Sequence, residues 1–254
     1  VPDREQRLVF GEVADEYDEV RAGYPAALVD AVMDYAGRSG QLPDAMVEIG
    51  AGTGKATAAF AGRVPSLTCI EPDPAMAMVL RRRLGAAVRV QVCRFEDWVP
   101  PAGGVPLLAC AQAWHWMDPE QRLRLAHRAV APGGTLALFG HLYSFIDPDL
   151  RNAMDRAYRR HAPELAHVEP TGPLTPEPHA SPLFTDPRVE RFGTRLSYPT
   201  ARYLALLRTF SNHRMVADER RGTLHRALAG VIDAHGGVVD VRVDTELILA
   251  RRQA

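Results

Sequence analysis

Short apolar runs suited to buried strands recur along the first half of the chain. They are Ala45-Met46-Val47 with Ile49, then Leu67–Ile70, Val105–Ala111 and Leu136–Phe139, while Val88-Arg-Val-Gln-Val92 alternates like a further strand. Between them the apolar positions fall at helical spacing. Ala26 to Tyr35 carries Leu28, Val29, Val32 and Met33 on one side, and further helices are predicted from Lys55 through Phe60, over Ala75–Arg83 and over Glu120–Val130. The punctuation agrees with this reading. Asp73 is a suitable N-cap with Pro74 at the first helical position, Gly85 is a natural stop, and Asp118-Pro119 opens the last of these helices. Strand and helix in alternation predict a doubly wound α/β sheet with its ligand at the carboxyl ends of the strands.

After Leu142 the alternation stops. Prolines recur at 148, 163, 170, 173, 176, 178, 182 and 187, around one helix-like stretch, Leu150 to Arg160. Residues 142–187 therefore read as an inserted cap or lid within a single domain over residues 1–254. Beyond it the pattern gives a strand over Arg188–Ser197 and helices over Thr200–Arg208 and Glu219–His235. Two last strands, Val238–Val243 and Thr245–Ala250, suit an antiparallel edge. Residues 8–20 read as mixed helix and loop, with Tyr17 and Arg21 one helical turn apart.

The chemistry concentrates where the first strand ends, in Glu48-Ile49-Gly50-Ala51-Gly52-Thr53-Gly54-Lys55. Glycines at every second position after a strand let a backbone approach a nucleotide-like ligand, because a Cβ would block both the approach and the positive φ angles. A phosphate-binding P-loop fails here twice: Ile49 stands where its first glycine belongs, and Ala56 where its Ser or Thr belongs. The dinucleotide fingerprint fails once, at Lys55. What remains is G-x-G-x-G behind an acid, followed 17 positions past Gly54 by Glu71, at the tip of the second strand. A carboxylate there can take both hydroxyls of a ribose.

This pattern resembles the first motif and downstream acid of the class I S-adenosylmethionine (SAM)-dependent methyltransferases. Four more segments in the expected order carry the resemblance across roughly residues 10–140. They are Phe10-Gly-Glu-Val-Ala14 with Tyr17, Arg21 and Tyr24-Pro25; Phe95-Glu96-Asp97-Trp98; Ala111-Gln-Ala-Trp114-His115-Trp116; and Ala131-Pro-Gly-Gly134 leading into a fifth strand. The leader is similar to that of the small-molecule branch, often called type 11 or trans-aconitate methyltransferase-like. The resemblance implies a Rossmann-like, seven-stranded, mostly parallel sheet with an antiparallel edge. It also implies SAM as cofactor, with S-adenosylhomocysteine as product.

Residue by residue, the resemblance implies that Gly50, Ala51, Gly52 and Gly54 let the backbone approach the cofactor, with Glu48 holding the loop or reaching the amino group through water. Glu71, followed by Pro72, binds the ribose, and Glu96 or Asp97 accepts from the adenine amine. Ala113 and Trp114 follow the fourth strand, where the Trp114 π face suits a sulfonium. Tyr17 and Arg21 lie near the methionine end; the alternative is an ordinary surface pair. His115 is the candidate base, or else packs locally between two tryptophans. His141, Tyr143, His161, His179 and His213 are weaker candidates near the expected lid. The family often has an aspartate near the start of the fourth strand; Pro106 stands close to that place, so no role attaches to it.

Composition narrows the partners. Net charge is −1, and Lys55 is the sole lysine among 30 basic residues, with no basic block. Nucleic acid therefore has little electrostatic support as a partner. Arg81–Arg83 read as a solvated helix end. No run reaches the 18 or so apolar residues of a membrane helix, and Val1-Pro-Asp-Arg-Glu5 does not read as a signal sequence. Cys69, Cys93 and Cys110 are far apart, without metal-ligand spacing, and read as reduced thiols. The expectation is a cytoplasmic monomer or homodimer that methylates an O, N or C atom of a small molecule, possible in secondary metabolism, with no metal, nucleic acid or membrane. The absence of an Asn/Asp-Pro-Pro-Tyr segment after the fourth strand argues against the amino-group methyltransferases of nucleic acid and protein. Two alternatives stay open: a SAM-fold protein without methyl transfer, such as a cyclase or accessory subunit, and an NAD-dependent dehydrogenase.

Overall fold

The computed structural model describes residues 9–38, 40–166 and 181–253. Val1-Pro-Asp-Arg-Glu5, His179 and the prolines at 170, 173, 176 and 178 lie outside the described residues. Seven strands form one sheet: β1 (Ala45–Ile49), β2 (Ser66–Ile70), β3 (Arg89–Gln91), β4 (Val105–Ala111), β5 (Val130–Phe145), β6 (Phe184–Pro199) and β7 (Val238–Arg252). Their order is β3-β2-β1-β4-β5-β7-β6. The pairs β3–β2, β2–β1, β1–β4 and β4–β5 are parallel. β7 runs the other way: Ile146 donates its N–H to the Asp240 carbonyl and Ser144 its hydroxyl to the Arg242 carbonyl, one number rising as the other falls. The sheet is thus mixed and mostly parallel, with chain order reversing between β1 and β4. That reversal is where open α/β sheets bind their ligands.

The helices are α1 (Ala14–Val20), α2 (Ala26–Gly37), α3 (Lys55–Phe60), α4 (Pro74–Leu84), α5 (Arg122–Ala129), α6 (Pro148–His161), α7 (Thr200–Arg208), α8 (Ser211–Met215) and α9 (Asp218–Ala234). The chain divides into two compact units. The sheet unit comprises Ala22–His141, Gly172–Phe192 and Thr245–Ala254; the helical unit comprises Val1–Arg21, Leu142–Thr171 and Gly193–Asp244. The stretch read as an inserted cap is therefore shared, and the helical unit also draws on the N-terminal segment and on Gly193–Asp244.

In the sheet unit, side-chain alternation sorts the core into two clusters. Val47, Ile49, Leu108, Cys110, Leu136 and Leu138 pack with Ala126 and Ala129 of α5. Met46, Leu107, Ala109, Ala111, Ala137 and Phe139 pack with Leu28, Val32 and Met33 of α2 and with Phe60 of α3. Strands buried on both faces explain why these segments read as continuous apolar runs. In the helical unit, Leu150 and Met154 of α6 pack with Leu206 and Leu207 of α7, with Leu224, Leu228 and Ile232 of α9, and with Val239, Val241 and Val243 of β7.

Among the boundaries that differ from the sequence reading, three have a visible cause. β5 starts at Val130, because Val105 pairs with Val130 and Leu107 then pairs with Thr135, so the Pro132-Gly133-Gly134 turn is an irregularity inside the strand. The helix expected over Glu120–Val130 begins only at Arg122. The Asp118 carboxylate holds the preceding turn instead of the helix, accepting from the Glu120 N–H at 2.9 Å and from the Gln121 side-chain amide at 2.6 Å. The two final strands are one, β7, because Asp244 stays in the strand with its carboxylate on Arg242 at 2.8 Å.

The Asp73 cap is formed as expected: its Oδ1 accepts from the N–H groups of Ala75 at 2.8 Å and Met76 at 3.2 Å. Asp73→Ala should lower stability by about 1 kcal/mol, read as a lower urea midpoint at unchanged slope.

Candidate functional site

The glycine loop between β1 and α3 is held by backbone geometry and by one acid. Gly50, Gly52 and Gly54 have φ of +63°, +55° and +81°, in the left-handed region that side chains disfavour. The N–H groups of Gly50 and Ala51 both donate to the Ile70 carbonyl, at 2.8 and 3.2 Å, which stitches the loop to the end of β2. A Cβ on Gly50 would stand 2.4 Å from the Ala113 Cβ, so Ala113, beyond β4, forms a wall against the loop. A Cβ on Gly52 would meet nothing within 4 Å, which leaves open space on that side of the loop.

Glu71, only 6% exposed, closes the arrangement. Its Oε2 accepts from the Gly52 N–H at 2.7 Å and its Oε1 from the Asp73 N–H at 2.9 Å. Burial pushes its pKa up to about 7, against the pull of these two hydrogen bonds. Each carboxylate oxygen has two lone pairs, so both retain accepting capacity. Pro72 beside it is exposed.

Glu48 is buried beneath the loop, 1% exposed, and its Oε2 accepts from the Thr57 hydroxyl of α3 at 2.5 Å. The Thr57 Oγ1 also lies 3.4 Å from the Cys69 Sγ. Burial drives the Glu48 pKa up to about 8, opposed by the Thr57 bond and reinforced by Glu71. In this arrangement Glu48 ties β1 to α3 through Thr57. Thr57 is a functional partner missed by sequence reasoning; its only signal is a lone hydroxyl in the alanine-rich first turn of α3.

Glu96 and Asp97 separate clearly. Glu96 is half-buried and already engaged, accepting from the Asp118 N–H at 3.2 Å and lying 3.3 Å from Arg94 Nε. Burial alone would raise its pKa, but backbone hydrogen bonds and Arg94 outweigh that and lower it. Asp97 is exposed.

Past β4, Gln112 adopts φ +60°, unusual for a residue other than glycine. Its N–H donates to the Phe139 carbonyl at 2.9 Å and its side-chain amide to the His141 carbonyl at 3.2 Å. Nothing in the sequence signals this conformation. The Trp114 ring is 1% exposed within the core, with the Arg122 guanidinium 5.5 Å from its centre. Arg122 Nη1 also donates to the Trp114 carbonyl at 2.9 Å. The ring therefore offers no open π face in this structure.

His115 is exposed, with its ring 4.6 Å from that of Trp116. Protein crowding on its inner side, and then the Arg122 charge, lower its pKa, so it is neutral at pH 7. His141 stacks on Tyr24 at 4.4 Å and contacts the Thr245 hydroxyl through Nδ1 at 2.8 Å.

The remaining candidates belong to the helical unit. Arg21 lies 5.0 Å from the Tyr17 ring centre and 4.1 Å from that of Phe210. Its Nε donates to the Thr209 hydroxyl at 2.8 Å and its Nη2 to the Thr209 carbonyl at 3.0 Å. Tyr143 packs edge-on against Phe210 at 6.2 Å, and the His161 carbonyl accepts from Arg220 at 3.0 Å. His213 is buried between the Tyr158 hydroxyl and His225, each at 3.2 Å. Burial, followed by His225 and Arg221, pushes its pKa down to about 3, so it stays neutral. No group of three or more potential metal-ligating side chains occurs among the described residues, and none of their helices is long and apolar enough to cross a membrane.

Residues 46–134 match the family model described as a methyltransferase domain. An uncharacterized methyltransferase of Mycobacterium tuberculosis strain H37Rv is 32% identical over 135 residues, 53% of this chain and 53% of that protein. The match thus spans about half the length of that relative. An uncharacterized methyltransferase of Schizosaccharomyces pombe is 24% identical over 229 residues, covering 87% of this chain and 85% of its own. Among solved structures, a protein provisionally named a type II methyltransferase, from Anaeromyxobacter dehalogenans, superposes with a TM-score of 0.63 at 22% identity. That superposition covers 91% of this chain and 97% of the other, and shows the shared fold.

The two faces of the loop predict different tolerances. Gly52→Ala should lose only the left-handed backbone cost, about 1–2 kcal/mol. Gly50→Ala adds the collision with Ala113 and should lose at least twice as much. Urea unfolding of both variants checks this; equal losses would show that the Ala113 wall yields.

Proposed function

We propose that this chain, whose residues 46–134 match a methyltransferase-domain model, is a class I SAM-dependent methyltransferase that transfers a methyl group from SAM to an O, N or C atom of a small molecule. The observation that carries the cofactor reading is the Glu71–Gly52 clamp at the carboxyl end of β2. It sets an acid with unused lone pairs beside an open-sided glycine loop, which suits the two hydroxyls of a ribose. Gly50, Ala51, Gly52 and Gly54 admit the ligand's main body, and Ala113 and the backbone of Trp114 bound it on the β4 side.

Bound SAM supplies a methyl group made electrophilic by its sulfonium. The protein's work is then to hold, orient and exclude water. Asp97 takes the adenine amine, because its carboxylate is exposed while that of Glu96 is engaged by Asp118 and Arg94. Neutral His115 stands after β4 as the candidate to receive a proton from a hydroxyl or amine acceptor at its ring nitrogen. Its contact with Trp116 supports the packing alternative equally. A small-molecule acceptor is favoured by the lack of a basic block in a chain of net charge −1. Haemonchus contortus phosphoethanolamine N-methyltransferase 2, solved with phosphomonomethylethanolamine and S-adenosylhomocysteine, shares the fold at a TM-score of 0.50 and 13% identity over 58% of its length.

Calorimetric titration with SAM, S-adenosylhomocysteine and NADH tests the reading. Micromolar binding of the first two and none of NADH is expected; binding of NADH instead would overturn it. Glu71→Ala should weaken SAM binding by about ten-fold or more, through loss of charge-assisted hydrogen bonds. A folded variant with unchanged affinity would remove Glu71 from the site.

A further inference from the structure

The glycine loop rests on two buried acids with no cation between them among the described residues. Glu48 of β1 and the residue pair Cys69 and Glu71 stand on neighbouring strands, with Glu48 in register opposite Cys69. The groups facing Glu48 are the Thr57 hydroxyl of α3, Glu71, and the thiols of Cys69 and, on β4, Cys110. Glu71 faces the N–H groups of Gly52 and Asp73, the Asp73 carboxylate and the Cys69 thiol. Among the described residues no arginine, lysine or histidine bonds either carboxyl.

A buried carboxylate without a counter-charge is held only by what donates to it. Glu48 has a single neutral hydroxyl as donor and is the harder to ionise; Glu71 has two backbone N–H donors and is the easier. Their mutual repulsion means that ionising one favours the proton on the other. Burial raises both carboxyls, Glu48 to about 8 and Glu71 to about 7.

We propose that this loop is proton-coupled: Glu48 keeps its proton beneath it, while Glu71 releases one when the ribose hydroxyls of an adenosyl ligand donate to its carboxylate. The Glu71 O–H bond breaks, the proton passes to solvent, and no redox change is involved. The proposal rests on the SAM reading above and adds a pH dependence of ligand affinity to it. Below neutrality the proton must be expelled for binding; above neutrality it has already gone, so affinity rises with pH. A group titrating at about 7 when free and ionised in the complex gives about a ten-fold rise from pH 6 to pH 8.

The test uses 5′-methylthioadenosine, which has the ribose hydroxyls but no ionisable amino-acid end, with SAM in parallel. Titration calorimetry at pH 6, 7 and 8, in phosphate and in Tris, separates proton release from intrinsic heat. We expect release at pH 7 and the ten-fold rise in wild type, and neither in Glu71→Gln. Binding that is flat with pH, with the same heat in both buffers, overturns the coupling and leaves the cofactor reading intact. If SAM fails to bind at every pH, the cofactor reading itself falls and the coupling with it. Carbon-13 NMR of the glutamate carboxyls in ligand-free wild type does not depend on any variant's folding. The Glu48 carboxyl should remain protonated at pH 7, and an ionised Glu48 at pH 6 overturns the proposal.

Discussion

The 2.7 Å hydrogen bond from the Gly52 N–H to Glu71 Oε2 is the contact around which the sheet unit's glycine loop is built. It joins the loop after β1 to the tip of β2, so two strands that are neighbours only through tertiary pairing present one surface. The same carboxylate takes the Asp73 N–H, and Asp73 in turn caps α4. One side chain thus orders the loop, the strand end and the following helix. The constraint has a physical cost, since the carboxyl is nearly buried and its pKa rises with burial.

Behind that contact the sheet is organised to keep the loop rigid. Glu48 and Thr57 tie β1 to α3 from below, and Gly50 is pressed against Ala113 from the β4 side. Ala113 holds that place because Gln112 bends the chain through a left-handed φ and anchors on Phe139 and His141 of β5. Backbone strain at a non-glycine residue beside a ligand loop is the kind that persists only where surrounding contacts over-determine it.

The helical unit uses its ionisable groups differently. Arg21 is held between the Tyr17 and Phe210 rings and hydrogen-bonded to Thr209, and Arg208 makes a two-pronged ion pair with Glu16. The Tyr158, His213 and His225 chain is neutral, with His213 buried between two half-buried partners. These contacts join α1 to α7 and α6 to α8 and α9, residues distant in sequence.

The sequence by itself determined the alternation of strands and helices, the glycine loop, the acid at the tip of β2 and the Asp73 cap. Each is written locally: apolar runs for doubly buried strands, glycines for positive φ, and a short carboxylate before a proline for a helix start. Tertiary structure decided the rest, because those properties depend on what lies opposite. Glu96 and Asp97 are adjacent acids of equal promise until Asp118 and Arg94 engage one of them. Trp114 reads as a ligand-facing ring until the packing around Arg122 buries it. Whether Glu48 holds a proton follows from its lack of a cation and its single hydroxyl donor, Thr57, which the strand pairing and the α3 packing supply and no local pattern records.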